Sequence, residues 1–157
     1  MIQVKPKELQ RTLEKVDVLL VNDAELRQLS GEWHVIKAAR AVRAMGPKTL
    51  VVKKGEHGVL MVGEESFAAP AYPLEAVFDP TGAGDTFAGG FLGYLAAAGN
   101  AKDDTLRRAV IMGSTLASFC VEAFSLDRLL RLTRPEIDER FRLFKRGSDF
   151  QRHANAA

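Results

Sequence analysis

Two short apolar runs constrain the fold of this chain more than any other feature. Val16-Asp17-Val18-Leu19-Leu20-Val21 and Thr49-Leu50-Val51-Val52-Lys53 are too short for helices and rich in β-branched residues. Near-continuous apolar runs of this kind belong to strands buried on both faces of a parallel sheet. The stretch between them has room for a crossover. Residues 22–30 read as a short helix closed by Gly31, and 34–45 as a second helix stopped by Gly46-Pro47. Leu9, Leu13 and Val16 recur at helical spacing ahead of the first run. Strands alternating with helices predict an α/β chain.

After Lys53 the pattern changes. Gly55-Glu56-His57-Gly58 turns into Val59-Leu60-Met61-Val62, and Gly63-Glu64-Glu65 into Ser66-Phe67-Ala68-Ala69. Turns this short join antiparallel neighbours, so the expected sheet is mostly parallel with an antiparallel margin. Pro70, Pro73 and Pro80 mark a loop. Helices are predicted at 85–98, with Phe87, Phe91 and Leu95 on one stripe, and at 104–122, with Leu106, Val110 and Ala117 inward. A last helix opens at the capping box Thr133-Arg134-Pro135-Glu136 and carries Ile137, Phe141 and Phe144. From Gly147 on the residues are small or polar, which leaves 1–146 as the folded portion and 147–157 as a frayed tail.

Composition removes several function classes. Lys and Arg number 22 against 20 Asp and Glu, a net charge of +2, which argues against binding nucleic acid through many phosphate contacts. One cysteine, Cys120, excludes an internal disulfide and a cysteine-based zinc site, and reads as a small buried apolar residue. No apolar run is long enough to span a bilayer, and Met1-Ile2-Gln3-Val4-Lys5-Pro6 lacks the apolar block of a signal peptide. The expectation is a cytoplasmic protein with no membrane partner. Arg128, Arg131, Arg134, Arg140 and Arg142 read as a solvated helix face, and Trp33 suggests no function.

Chemistry concentrates in Asp79-Pro80-Thr81-Gly82-Ala83-Gly84-Asp85-Thr86-Phe87-Ala88-Gly89-Gly90-Phe91. Glycines just before a helix let backbone N–H groups converge, and the helix dipole adds partial positive charge there. Such a point stabilises a phosphate or the charge on a transferring phosphoryl group. Asp85 stands beside it, placed to take a proton from an alcohol. Two other phosphate motifs do not fit. A dinucleotide fingerprint would need glycine where Phe87 stands, and a P-loop would need lysine where Gly90 stands. Locally, a plain tight turn with close helix packing accounts for the glycines equally well.

The 79–91 segment closely resembles the C-terminal motif of the ribokinase-like, or PfkB, carbohydrate and nucleoside kinases. The resemblance implies a three-layer sandwich with flanking helices, in which Gly82, Ala83 and Gly84 form an anion hole and Asp85 is the catalytic base. It implies ATP and magnesium as co-substrate and cofactor, and potassium where Asp79 and Thr81 match the monovalent-cation position. Asn22-Asp23-Ala24-Glu25 resembles the family's Asn-x-x-Glu element, with Asn22 near the nucleotide phosphates and Glu25 near magnesium through water; the same spacing is also a helix capping box. Lys53-Lys54-Gly55-Glu56-His57-Gly58 resembles the nucleotide-binding Gly-x-x-Gly turn, with Lys53 where many relatives have threonine, and His57 reads as a surface residue. Gly113, Ser114 and Ala117 fall on the helix that flanks adenine in the family, and residues so small also serve helix packing.

The function so implied is ATP-dependent phosphoryl transfer to a hydroxyl of a sugar. A nucleoside acceptor, or a non-catalytic nucleotide-binding piece that needs a partner, is the alternative. The resemblance runs from about Val16 to Phe144 and covers a family member's C-terminal half. The Gly-Gly-rich motif and the β lid that carry most acceptor contacts are not found in the 157 residues. A sheet edge left open in this way invites self-association, including a homodimer.

Overall fold

Residues 6–148 are described by a computed structural model, in which the two apolar runs lie side by side as a parallel pair. In chain order the elements are α1 (Pro6–Leu13), β1 (Val18–Asn22), α2 (Asp23–Ser30), α3 (Val35–Arg43), β2 (Thr49–Lys53), β3 (Val59–Val62), β4 (Ser66–Ala69), α4 (Ala83–Ala98), α5 (Asp103–Cys120) and α6 (Arg134–Ser148). The tail expected from Gly147 enters α6 for two residues, and beyond Ser148 it lies outside the described residues.

The sheet runs β1-β2-β3-β4. β1 and β2 are parallel, with Asn22 opposite Lys53, while β2–β3 and β3–β4 are antiparallel. The antiparallel margin expected from the short turns is present, but two of the three described pairs are antiparallel, so the expectation of a mostly parallel sheet is corrected. Only the long stretch holding α2 and α3 can return the chain for a parallel strand; the later turns are too short.

Side chains alternate across the pleat and divide the interior into two cores. Leu50, Val52, Val62 and Val21 face Leu26 of α2 and Ala38, Ala39 and Val42 of α3. Val51, Val59, Met61 and Ala69 face Phe87 and Phe91 of α4 and Leu106, Ala109 and Val110 of α5. The result is helices, sheet, helices: three layers.

A second correction concerns β1. β2 is buried from Thr49 to Val52, whereas Val18, Leu19 and Leu20 remain half-buried. A run buried on both faces was expected; among the described residues the strand has a neighbour on one side only.

α4 and α5 pack closely through glycine. A Cβ on Gly90 would come within 2.9 Å of Leu116 Cδ1, and one on Gly113 within 2.8 Å of the Phe87 carbonyl oxygen. α6 closes over the far side, where Phe144 is buried against Tyr72 and Phe141 stacks on Tyr94. The arginines expected on a solvated face divide into two groups. Arg131, Arg134 and Arg142 are exposed. Arg140 has only 15% of its side chain exposed; its guanidinium lies 3.4 Å from the Phe119 ring centroid and pairs with Glu122 at 2.6 Å. Arg128 bridges Glu122 and Glu136 at 3.1 and 2.6 Å. A shared carboxylate, Glu122 just past α5, explains the difference, since both arginines pair with it.

Candidate active site

β1 and β2 end together, so register alone sets Asn22 beside Lys53 at their carboxyl ends. Ligands of open α/β sheets gather at that end. The loop leading to α4 is fixed by local chemistry. Asp79 Oδ1 accepts the Thr81 N–H at 2.9 Å, and Oδ2 accepts the Ser125 N–H at 3.4 Å. Hydrogen bonds from the Thr81 hydroxyl first, then the Thr81 and Ser125 amides, hold the Asp79 carboxyl below its usual range. Phe78 N–H donates to Val121 O at 2.8 Å, tying this loop to the segment after α5.

Gly82 then adopts φ 81°, a left-handed conformation that a side chain disfavours. Ala83 N–H donates back to Pro80 O at 3.2 Å, and the helical ladder begins with Thr86 N–H on Gly82 O at 2.8 Å. The amides of Gly84 and Asp85 precede that first ladder bond, so the first turn leaves them as donors for something else. Cys120 Sγ lies 3.7 Å from Thr81 O, backing the loop from α5.

Lys53 completes the arrangement. Its Nζ is 3.1 Å from the point a Cβ on Gly84 would occupy, so an ammonium sits directly on the first turn of α4. Among the described residues neither Lys53 nor Asp85 is held in an ion pair. A cation, free amides and an exposed carboxylate thus converge within one helical turn.

The other predicted residues are placed as follows. Asn22 and Glu25 make a complete capping box: Asn22 Oδ1 accepts Glu25 N–H, and Glu25 Oε2 accepts Asn22 N–H, both at 2.8 Å. Gly55 opens the 3₁₀ turn at φ 57° in open space, while Gly58, at φ 82°, lies against the backbone of Ala69 on β4. Gly113 is buried in the α4–α5 seam beside Phe87, away from the loop surface. Thr81 is exposed, and the loop uses both its hydroxyl and its amide to hold Asp79. Among the described residues no three His, Cys, Asp or Glu side chains gather as a metal cage. Glu25 fits a magnesium ion held mainly by phosphates and water, since one carboxylate oxygen is left outside the cap. Both Asp79 oxygens accept amide protons, so Asp79 braces the loop.

Sequence reasoning missed Ser125, the one non-glycine residue with positive φ among those described, at 55°. Its amide braces Asp79 from 46 positions away, and no local spacing announces that contact.

Comparison with known proteins follows the same outline. The pattern described as pfkB family carbohydrate kinase matches residues 2–130. A cytidine kinase from Thermococcus kodakarensis is 35% identical over 113 residues, covering 70% of this chain and 39% of that protein. A nucleoside kinase from Methanothermobacter thermautotrophicus is 33% identical over 116 residues, covering 73% of this chain and 35% of its own length. The crystal structure of aminoimidazole riboside kinase from Salmonella enterica, complexed with aminoimidazole riboside and an ATP analogue, superposes with a TM-score of 0.78 at 29% identity. That match covers 88% of this chain and 47% of the other. The chain therefore spans less than half the length of each.

Proposed function

The chain belongs to the pfkB family of carbohydrate kinases, and from that premise we propose that it carries the nucleotide-side and base chemistry of phosphoryl transfer from ATP to an alcohol. The observation that supports this most is the Lys53 ammonium resting on the first turn of α4, one residue from Asp85. In this reading Asp85 takes the proton of the acceptor hydroxyl as its oxygen bonds to the γ-phosphorus. The bond from that phosphorus to the bridging oxygen breaks, and ADP leaves. In the anion hole of the Gly82-Ala83-Gly84 turn, the uncommitted amides of Gly84 and Asp85, with Lys53, hold the charge that spreads over the equatorial oxygens; positioning and electrostatics of this kind carry most of such a reaction. Asn22 and Gly55 border the nucleotide phosphates from the strand ends, and Gly58 shapes their turn. Gly113 keeps α5 close to α4, beneath the nucleotide side. Magnesium, when bound with the nucleotide beside Glu25, supplies charge neutralisation.

For the acceptor, a ribosyl hydroxyl is favoured over a free hexose. Cytidine and aminoimidazole riboside, the acceptors in the names of two of the relatives, share that group, and a third relative is named a nucleoside kinase. The test has two readouts. Lys53→Ala weakens ATP binding to the chain by roughly tenfold in calorimetry, equivalent to ~1.4 kcal/mol. Asp85→Asn leaves ATP affinity alone and lowers turnover, in a form of the protein that has it, by about 10²- to 10⁴-fold. Unchanged turnover in Asp85→Asn would remove the base assignment; absence of ATP binding in the folded wild-type chain would remove the whole reading.

A further inference from the structure

Arg140 ties α6 to the two segments that frame the candidate site, although none of the site residues lies on that helix. Its guanidinium pairs with Glu122 Oε1 at 2.6 Å, donates to the Ser118 hydroxyl at 3.1 Å, and lies over the rings of Phe119 and Tyr72. Tyr72 belongs to the loop that leads to Gly82, whereas Ser118, Phe119 and Glu122 belong to the end of α5 and the turn after it. The other oxygen of Glu122 is taken by Arg128 at 3.1 Å.

The end of α5 therefore faces two ways. Ser118, Phe119 and Glu122 meet the arginine. Cys120, Val121 and Ser125 meet the site loop: Cys120 Sγ lies on Thr81 O, Val121 O accepts the Phe78 N–H, and the Ser125 N–H reaches Asp79. Parts of this second set are weak by themselves. The Val121 N–H closes α5 at a long 3.4 Å, and Ser125 reaches Asp79 at the same distance. Ser125 also holds φ 55°, a conformation that persists only where the surroundings impose it. No described residue of α6 lies in either sandwich core, so what the clamp holds is this segment rather than the sheet and its helices.

We propose that Arg140 is a positioning residue for the anion hole. Through Glu122 and Phe119 it fixes residues 120–125, and through them the Asp79 brace and the Gly82 turn. The link to nucleotide rests on the reading of that turn as the phosphate site. With side chains only 15% and 24% exposed, Arg140 and Glu122 form a pair in which removing one partner leaves the other poorly matched. Glu122 keeps Arg128 in that event, so losing Arg140 loosens the segment without unfolding the chain.

The single cysteine supplies the readout, since Cys120 is fully buried and reacts with a maleimide only when the segment opens. Its labelling in the isolated chain is compared with hydrogen exchange of the β2 amides. In Arg140→Leu, Cys120 reacts about tenfold faster than in the wild type while β2 exchange is unchanged, the mark of local opening. Glu122→Gln, which keeps the stacked arginine, gives the same pattern. Arg140→Lys restores the charge opposite Glu122 without the planar stack, and moves labelling part of the way back. Unchanged labelling in Arg140→Leu and Glu122→Gln would overturn the proposal. So would labelling and β2 exchange that rise together, since the role would then be fold-wide. ATP with magnesium slows labelling in the wild type, and Arg140→Leu binds it about tenfold more weakly in calorimetry. Equal affinity beside faster labelling would overturn the link to the anion hole. A folded wild-type chain that binds no ATP would defeat the phosphate reading, and that link with it, while labelling still decides the clamp.

Discussion

At the scale of single residues, the site depends on atoms placed by backbone conformation. Gly82 is the clearest case, because φ 81° there lets the chain pass from the Asp79 brace into α4. Gly82→Ala is expected to cost about 1–2 kcal/mol, the left-handed penalty of a side chain, although only Cys120 Sγ, at 3.9 Å, stands near the added methyl. A chemical denaturation curve would check it; a loss well under that range would mean the loop relaxes. The glycine-aspartate motif was legible in the sequence because its glycines, Pro80 and Asp85 are contiguous and their backbone demands are local. Lys53 was legible only as a departure from relatives. Its approach to Gly84 joins positions 31 apart, and that distance is closed by β2 and α4 packing together.

At the scale of elements, α6 shows how a local signal and a tertiary contact combine. The capping box was read from Thr133 and Glu136, and both Thr133 N–H and Oγ1 donate to Glu136 Oε2, at 2.9 and 2.6 Å. Arg128 adds a second hold on the same carboxylate. The Thr133 hydroxyl first, and Arg128 next, pull the Glu136 carboxyl from its ordinary 4.5 down to about 2. A depressed folded-state value gives stability that is full above the unfolded value and lost as pH falls through the folded one. Melting temperature should therefore drop between pH 4.5 and about 2 more steeply in the wild type than in Glu136→Gln. Equal slopes would show that Glu136 plays no part in acid unfolding. The same contacts explain why Arg128 and Arg140 were misread. Their partners Glu122 and Glu136 are read as a network only when α6 is folded back across Phe119 and Tyr72.

At the scale of the whole molecule, β2 is the centre: it has strands on both sides and a helical layer on each face. Its amides should be the slowest to exchange, opening only with global unfolding. Slower exchange in α6 than in β2 would mean that the sandwich does not unfold around its sheet. The sequence by itself determined the α/β class, the order of the elements, the turns, the helix caps and the glycine-aspartate loop. Each of these is fixed by side-chain periodicity or backbone geometry within a few neighbouring residues. Only the tertiary structure decided that antiparallel pairs outnumber the parallel one, that two arginines are clamped, and that Lys53 reaches α4. Those outcomes depend on which distant segments pack together, and apolar periodicity carries no address for its partner.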